Sequence, residues 1–114
     1  VTAGRQALGA RGEQLAARWY ESNGYAVLDR NWRCRTGELD IVARSGSTIV
    51  FIEVKTRYSD AYGSPAAAVT VAKQRRIRAL AIEWLRANAV HGTDVRFDVA
   101  CVIGNRVEVL EAAF

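Results

Sequence analysis

Gly37-Glu38-Leu39-Asp40-Ile41-Val42-Ala43-Arg44-Ser45, then Gly46-Ser47, then Thr48-Ile49-Val50-Phe51-Ile52-Glu53-Val54-Lys55-Thr56: this stretch decides the fold. Two runs rich in β-branched and aromatic residues flank a Gly-Ser pair, which is the pattern of a hairpin. Glycine at the first central position suits a two-residue type II′ turn, and Ser45 then pairs with Thr48. Counting back along both strands from that pair sets Asp40 directly across from Glu53. Side chains alternate between faces, so Lys55 shares the face of Glu53 and Glu38 that of Asp40. One face of the sheet is therefore expected to gather Glu38, Asp40, Glu53 and Lys55. A slip of one residue would part Asp40 from Glu53, so the turn carries the reading.

Opposed carboxylates destabilise a sheet unless something neutralises them. Both lie within apolar runs, Leu39-Asp40-Ile41-Val42 and Phe51-Ile52-Glu53-Val54. A divalent cation resolves the repulsion, because Mg²⁺ prefers hard oxygen ligands. Such an ion polarises a phosphoryl oxygen or activates a water. A neighbouring lysine can orient or deprotonate that water, or stabilise developing negative charge. Taken alone, Glu-x-Lys on a strand is more often a same-face ion pair at a solvated surface. The cross-strand aspartate separates the two readings.

Outward from the hairpin, the pattern is regular. Apolar residues Leu8, Leu15, Ala16 and Trp19 recur at helical spacing from Gln6 to Ser22, and Asn23-Gly24 stops that helix. Tyr25 to Arg30 suits a short first strand, and Asn31 to Thr36 a connection. Strands are expected over Glu38–Arg44 and Thr48–Thr56. Arg57 to Pro65 holds Gly63 and the only proline and reads as a loop. The whole span from Arg57 to Val69 is the expected seat of specificity, since long irregular loops tend to be functional. Thr70 caps a helix to about Asn88 that buries Ile77, Leu80, Ala81, Trp84 and Leu85. Val95–Ile103 and Arg106–Leu110 form a last hairpin across Gly104-Asn105. The order α-β-β-β-α-β-β predicts an α/β fold, two helices packed on a mixed sheet, with a parallel crossover through the second helix.

Composition bounds the function. At 114 residues, half of them hydrophobic, the chain is expected to be one domain spanning 1–114. No apolar run approaches a membrane span, and no signal segment opens the chain, so no membrane partner is expected. Cys34 and Cys101 form no C-x-x-C pair. That pattern excludes a disulfide scaffold and a structural zinc site, and it points to the cytoplasm. The lone His91 has no partner in sequence, which disfavours histidine-based RNA cleavage. Net charge is +4, compatible with a polyanionic partner. Fourteen of the sixteen cations are arginine, leaving only Lys55 and Lys73. Against that bias, each lysine marks a position that suits a compact, tunable ammonium.

At the hairpin the sequence resembles the PD-(D/E)XK nuclease superfamily. Gly37-Glu38-Leu39-Asp40-Ile41-Val42 and Phe51-Ile52-Glu53-Val54-Lys55-Thr56-Arg57 look like its active-site signature. The whole chain resembles the YraN-like bacterial family, through Gly12-Glu13, Asn31-Trp32-Arg33, both hairpin segments, Lys73 and Arg96-Phe97-Asp98-Val99. The resemblance implies a restriction-endonuclease-like core, with archaeal Holliday-junction resolvases as functional relatives. It assigns Asp40 and Glu53 as metal ligands, Lys55 as the water-activating lysine, and Glu13 as a first-helix glutamate completing the metal site. Leu39 stands where the superfamily usually has proline. Glu13 also has a physical argument of its own, because the small residues Gly9, Gly12, Ala16 and Ala17 around it leave its side chain uncovered, although without the resemblance a solvated helix glutamate is the preferred reading.

Arg33 and Arg35 beside Trp32, together with Arg57, Lys73 and Arg75, are the candidate nucleic-acid contacts. A solvated arginine face and a buried Trp32 are the plainer alternatives. Asp98 is expected to support its strand or pair with a cation. These readings converge on a metal-dependent nuclease using Mg²⁺ or Mn²⁺ on nucleic acid, DNA foremost and structured or branched by analogy, with a homodimer compatible with so short a chain. Two other readings compete: a non-catalytic nucleic-acid-binding or adaptor module with the same fold, and a structural protein whose strand carboxylates face a partner.

Overall fold

The structure, a computed structural model, describes residues 2–57 and 69–114, with side chains from residue 8 onward. Its elements are α1 (Thr2–Ser22), β1 (Ala26–Cys34), β2 (Gly37–Ser45), β3 (Thr48–Arg57), α2 (Val71–Ala87), β4 (Asp94–Ile103) and β5 (Arg106–Leu110). The sheet runs β1-β2-β3-β4-β5, antiparallel throughout except where β3 meets β4 in parallel. This is the expected mixed sheet and the expected order. The loop expected over Arg57–Pro65, and the specificity segment to Val69, lie largely in residues 58–68, outside the described residues.

Each sheet face carries one helix and one apolar cluster. α2 buries Ile77, Leu80, Ala81 and Trp84 against Val42, Phe51 and Phe97, while Leu85 is only partly covered. The Trp84 indole N–H is satisfied within this packing, donating to Asp29 Oδ2 at 3.1 Å. On the opposite face α1 contributes Ala16, Ala17 and Tyr20 against Ile41, Val50, Ile52, Ala100 and Val102. The stripe expected on α1 is thus corrected: Leu15 and Trp19 only flank this core, and small residues line its centre. Small side chains let the helix axis approach the sheet closely. Gly12 shows how closely, because a Cβ there would meet Thr56 Oγ1 at 2.1 Å.

β1 is longer than expected. The stretch from Asn31 to Cys34, read as a connection, continues the strand, with Trp32 paired to Leu39 and Cys34 to Gly37. Burial explains it, since Trp32 and Cys34 pack against the α2-side core. The strand absorbs its irregularities locally, in a register shift between Val27 and Asp29 and in the left-handed backbone of Asn31 at φ 53°. Asparagine tolerates that region better than most residues.

Candidate functional site

The turn at Gly46-Ser47 behaves as its residues demand. Gly46 has φ +59° while Ser47 stays at negative φ, which is the II′ pattern. Ser45 pairs with Thr48, and the ladder continues without a slip to Ile41 opposite Ile52. One step further, Asp40 comes to Glu53 and the two carboxyl groups share a hydrogen bond. Here the backbone ladder gives way to a side chain, as the Val54 amide donates to Asp40 Oδ2 at 2.9 Å. Alternation also breaks at Asp40. Leu39 packs with Val42 on the α2 side, whereas Ile41 and Ala43 face α1. Asp40 therefore sits at a twist in β2 rather than on a flat face. Glu38, Leu39, Asp40, Ile52, Glu53 and Ile77 line a small recess there.

Both lysines of the chain reach this place. Lys73 lies in the first turn of α2, whose N-cap Thr70 accepts the Lys73 amide at 3.2 Å. Its Nζ stands 2.5 Å from Glu53 Oε2, and its charge reaches Lys55. The Glu53 side chain is only 8% exposed, so this ammonium is the partner that offsets the cost of its burial.

The electrostatics split both pairs. Burial pushes the Asp40 carboxyl up to about 8, helped by its hydrogen bond to Glu53 and by that residue's charge. Glu53 is also raised by burial, but the Asp40 bond, Lys73 and Lys55 together hold it below the usual carboxylate range. One proton is thus shared between the two, carried mainly by Asp40. Among the lysines, burial and the neighbouring Lys73 charge push Lys55 down, against the pull of Glu53. Burial lowers Lys73 as well, yet its ion pair with Glu53 leaves it raised. Pairs of titratable groups driven apart in this way are the mark of acid–base assignments.

Glu13 is held at the edge of the cluster. Burial raises its pKa, and Arg30 is the largest opposing influence. Asn31 Nδ2 donates to its Oε1 at 2.6 Å and Arg30 Nε lies 3.6 Å away. Its charge is felt by Asp40, but among the described residues no three His, Cys, Asp or Glu side chains converge into a ligand set. The left-handed turn at Asn31 that aims its amide at Glu13 carried no signal in the sequence beyond asparagine itself. Glu38 lines the recess yet pairs with Arg33, Nε to Oε2 at 2.8 Å.

The arginine candidates divide. Arg33 and Arg35 sit exposed on the β1–β2 hairpin, and that hairpin abuts α2 where Arg76 lies beside Gly37. Arg75 is exposed on α2 and Arg57 ends β3, partly buried. Arg78 instead covers the Phe97 ring, 4.7 Å from its centroid. Lys73, expected as a contact to nucleic acid, is found inside the carboxylate cluster. Its neighbour Gln74 turns away and donates to the Val69 carbonyl at 3.1 Å. Asp98 pairs with a cation as expected, in a buried network with Arg96 and Tyr20 on the α1 side.

The donor set suits Mg²⁺ or Mn²⁺. It offers two adjacent carboxylates, one of them already holding a cationic ammonium, and Mg²⁺ typically takes one or two carboxylates and completes its shell with water and phosphate oxygens.

No helix among the described residues is long and apolar enough to cross a membrane. The chain is 56% identical over 97 residues to a UPF0102 protein of Rhodococcus opacus, covering 85% of this chain and 82% of that one. A UPF0102 protein of Beutenbergia cavernae is 52% identical over 102 residues, covering 90% and 86% of the two chains. One from Syntrophus aciditrophicus is 46% identical over 110 residues, covering 93% and 87%. The model of the uncharacterised protein family UPF0102 matches residues 12–102, from the glycine that seats α1 on β3 to the end of the β4 core, and the chain belongs to that family.

Proposed function

We propose that the protein is a metal-dependent nuclease that hydrolyses phosphodiester bonds in nucleic acid. The observation that carries the reading is the Asp40–Glu53 pair, two carboxyl groups set against each other beside two lysines, with Lys73 Nζ 2.5 Å from the buried Glu53. A pair kept only for stability would have little reason to oppose two carboxyl groups and to neutralise one of them with a lysine reaching in from solvent. When bound by Asp40 and Glu53, a divalent cation supplies Lewis-acid polarisation of a phosphoryl oxygen and a more acidic water.

The chain's own residues do the rest. Lys55, shifted toward its neutral amine, takes a proton from the attacking water. The water oxygen bonds to phosphorus, one bridging P–O bond breaks, and the leaving oxygen gains a proton from solvent. Asn31 and Arg30 hold Glu13 toward the same cluster, where it adds negative charge on the α1 side. Arg33, paired with Glu38 at the recess, and the exposed Arg35 and Arg75 position a polyanionic backbone. Structured or branched DNA is the substrate class this reading favours.

The test is a panel of single-stranded, duplex, flapped and four-way DNA plus RNA, incubated with Mn²⁺. Cleavage that disappears in the Glu53→Gln, Lys55→Met double variant supports the reading. Cleavage that persists would assign the activity elsewhere. Salt-dependent binding without turnover would favour the non-catalytic module instead.

A further inference from the structure

Lys73 is placed where helix energetics do not want it. A cation in the first turn of a helix opposes the macrodipole, and the first turn of α2 carries no acidic residue to offset it. The exposed arginines of α2 show that cations abound on this helix, but Lys73 alone among them reaches a buried carboxylate. Its side chain is 39% exposed while that of Glu53 is 8% exposed, so the ammonium dips into the site from solvent and has an open way out. The choice of ammonium matters too. A guanidinium would grip Glu53 as a planar fork, whereas an ammonium is a compact, well-hydrated point charge on a flexible stem. It fills the place of a small cation and leaves it readily.

We infer that Lys73 is an exchangeable, tethered counter-ion: it neutralises Glu53 while the carboxylate pair lacks a metal, and it is expelled when a divalent cation enters. Once expelled it stands at the N-terminus of α2, where backbone amides also favour an anion. A phosphate of the substrate captures it there, so metal loading and backbone binding reinforce each other. The inference rests on the reading of Asp40 and Glu53 as a cation site.

Mn²⁺ titration by calorimetry and magnetic resonance of the wild type, Lys73→Met and Lys73→Arg tests it. Removing the competitor is expected to tighten Mn²⁺ binding about fivefold in Lys73→Met, the scale of a partly exposed ion pair. Lys73→Arg is expected to bind no tighter than the wild type. A merely structural lysine would leave affinity unchanged or weaken it on removal, and either result overturns the inference. The wild type alone gives a second readout that needs no variant to fold. Acylation of Lys73 by a water-soluble ester, read by mass spectrometry, is expected to rise when Mn²⁺ saturates the protein, and unchanged reactivity overturns the inference. Wild-type Mn²⁺ binding with unchanged Lys73→Met affinity sinks this inference alone. Absence of Mn²⁺ binding in every sample sinks the cation site and the inference together.

Discussion

Two acidic centres are built into the same sheet, and they are treated in opposite ways. Asp98, on β4 and 0% exposed, has every acceptor used. Its Oδ2 takes the Tyr20 hydroxyl at 2.7 Å and Arg96 Nη2 at 2.8 Å; its Oδ1 takes Arg96 Nε at 2.9 Å and the Ala112 amide at 3.0 Å. Burial and the bond to Asp98 keep the Tyr20 proton in place. In the Asp40–Glu53 pair Glu53 is 7% exposed and Asp40 only partly buried; the two carboxyl groups press on each other, and Glu53 is neutralised by a lysine that reaches in from solvent. Burial alone therefore does not mark a functional carboxylate. Opposed carboxyl groups balanced by a removable cation do.

The largest effect should come from the opposed pair. Asp40→Asn is expected to lower cleavage of a responsive substrate about a thousandfold, the scale of losing a principal electrostatic group from an active site. The same variant should unfold in urea no earlier than the wild type, since an amide can replace the protonated carboxyl both toward Glu53 and toward the Val54 amide. Clear destabilisation by Asp40→Asn would erase the contrast with Asp98. The converse change sharpens it. Asp98→Ala leaves the part-buried Arg96 without its bidentate partner and should cost about 3–5 kcal/mol in urea unfolding, with activity per folded molecule retained.

Much of this was legible in the sequence, for identifiable reasons. A hairpin register follows from turn chemistry, so Gly46-Ser47 was enough to set the ladder from Ser45–Thr48 to Ile41–Ile52; beyond it alternation breaks, and Asp40 meets Glu53 through side chains. α2 followed from its apolar spacing, and its four buried residues were all expected. Other features depend on distances that no local pattern encodes. Lys73 extends the Ile77, Ala81 and Trp84 face of α2 toward the sheet, but that it reaches Glu53 depends on how α2 packs on β3, a distance helical spacing does not set. Asn31 reaches Glu13 through a backbone conformation that only the folded sheet imposes. On α1 the larger side chains drew the eye, although close approach to the sheet selected small ones.

That close approach is itself testable. Gly12→Ala sets a Cβ against Thr56 Oγ1 and should destabilise the fold by about 1–3 kcal/mol. Adding Thr56→Ala removes the hydroxyl in the way and should recover most of the loss. A neutral Gly12→Ala in thermal unfolding would mean that α1 stands off from β3.

The last expected effect is a slope with pH. Folded Asp40 keeps its proton up to about pH 8, while an unfolded aspartate releases it near 3.8. The folded state binds more protons between those limits, so this contribution is full below about pH 4 and is lost as pH rises toward 8. Glu53, held low, acts in the other direction and only at the acid end, below its ordinary 4.5. Metal-free protein should therefore gain urea stability between pH 8 and pH 5, and Asp40→Asn should flatten that gain. An identical slope in the variant would place the proton elsewhere.

The most direct measurement is anomalous diffraction at the manganese edge from crystals grown with Mn²⁺. A difference peak lying between the carboxylates of Asp40 and Glu53, with Lys73 withdrawn, is the predicted result. Crystals at saturating Mn²⁺ with no peak there, and with Lys73 still on Glu53, would contradict the claim that this pair is a cation site.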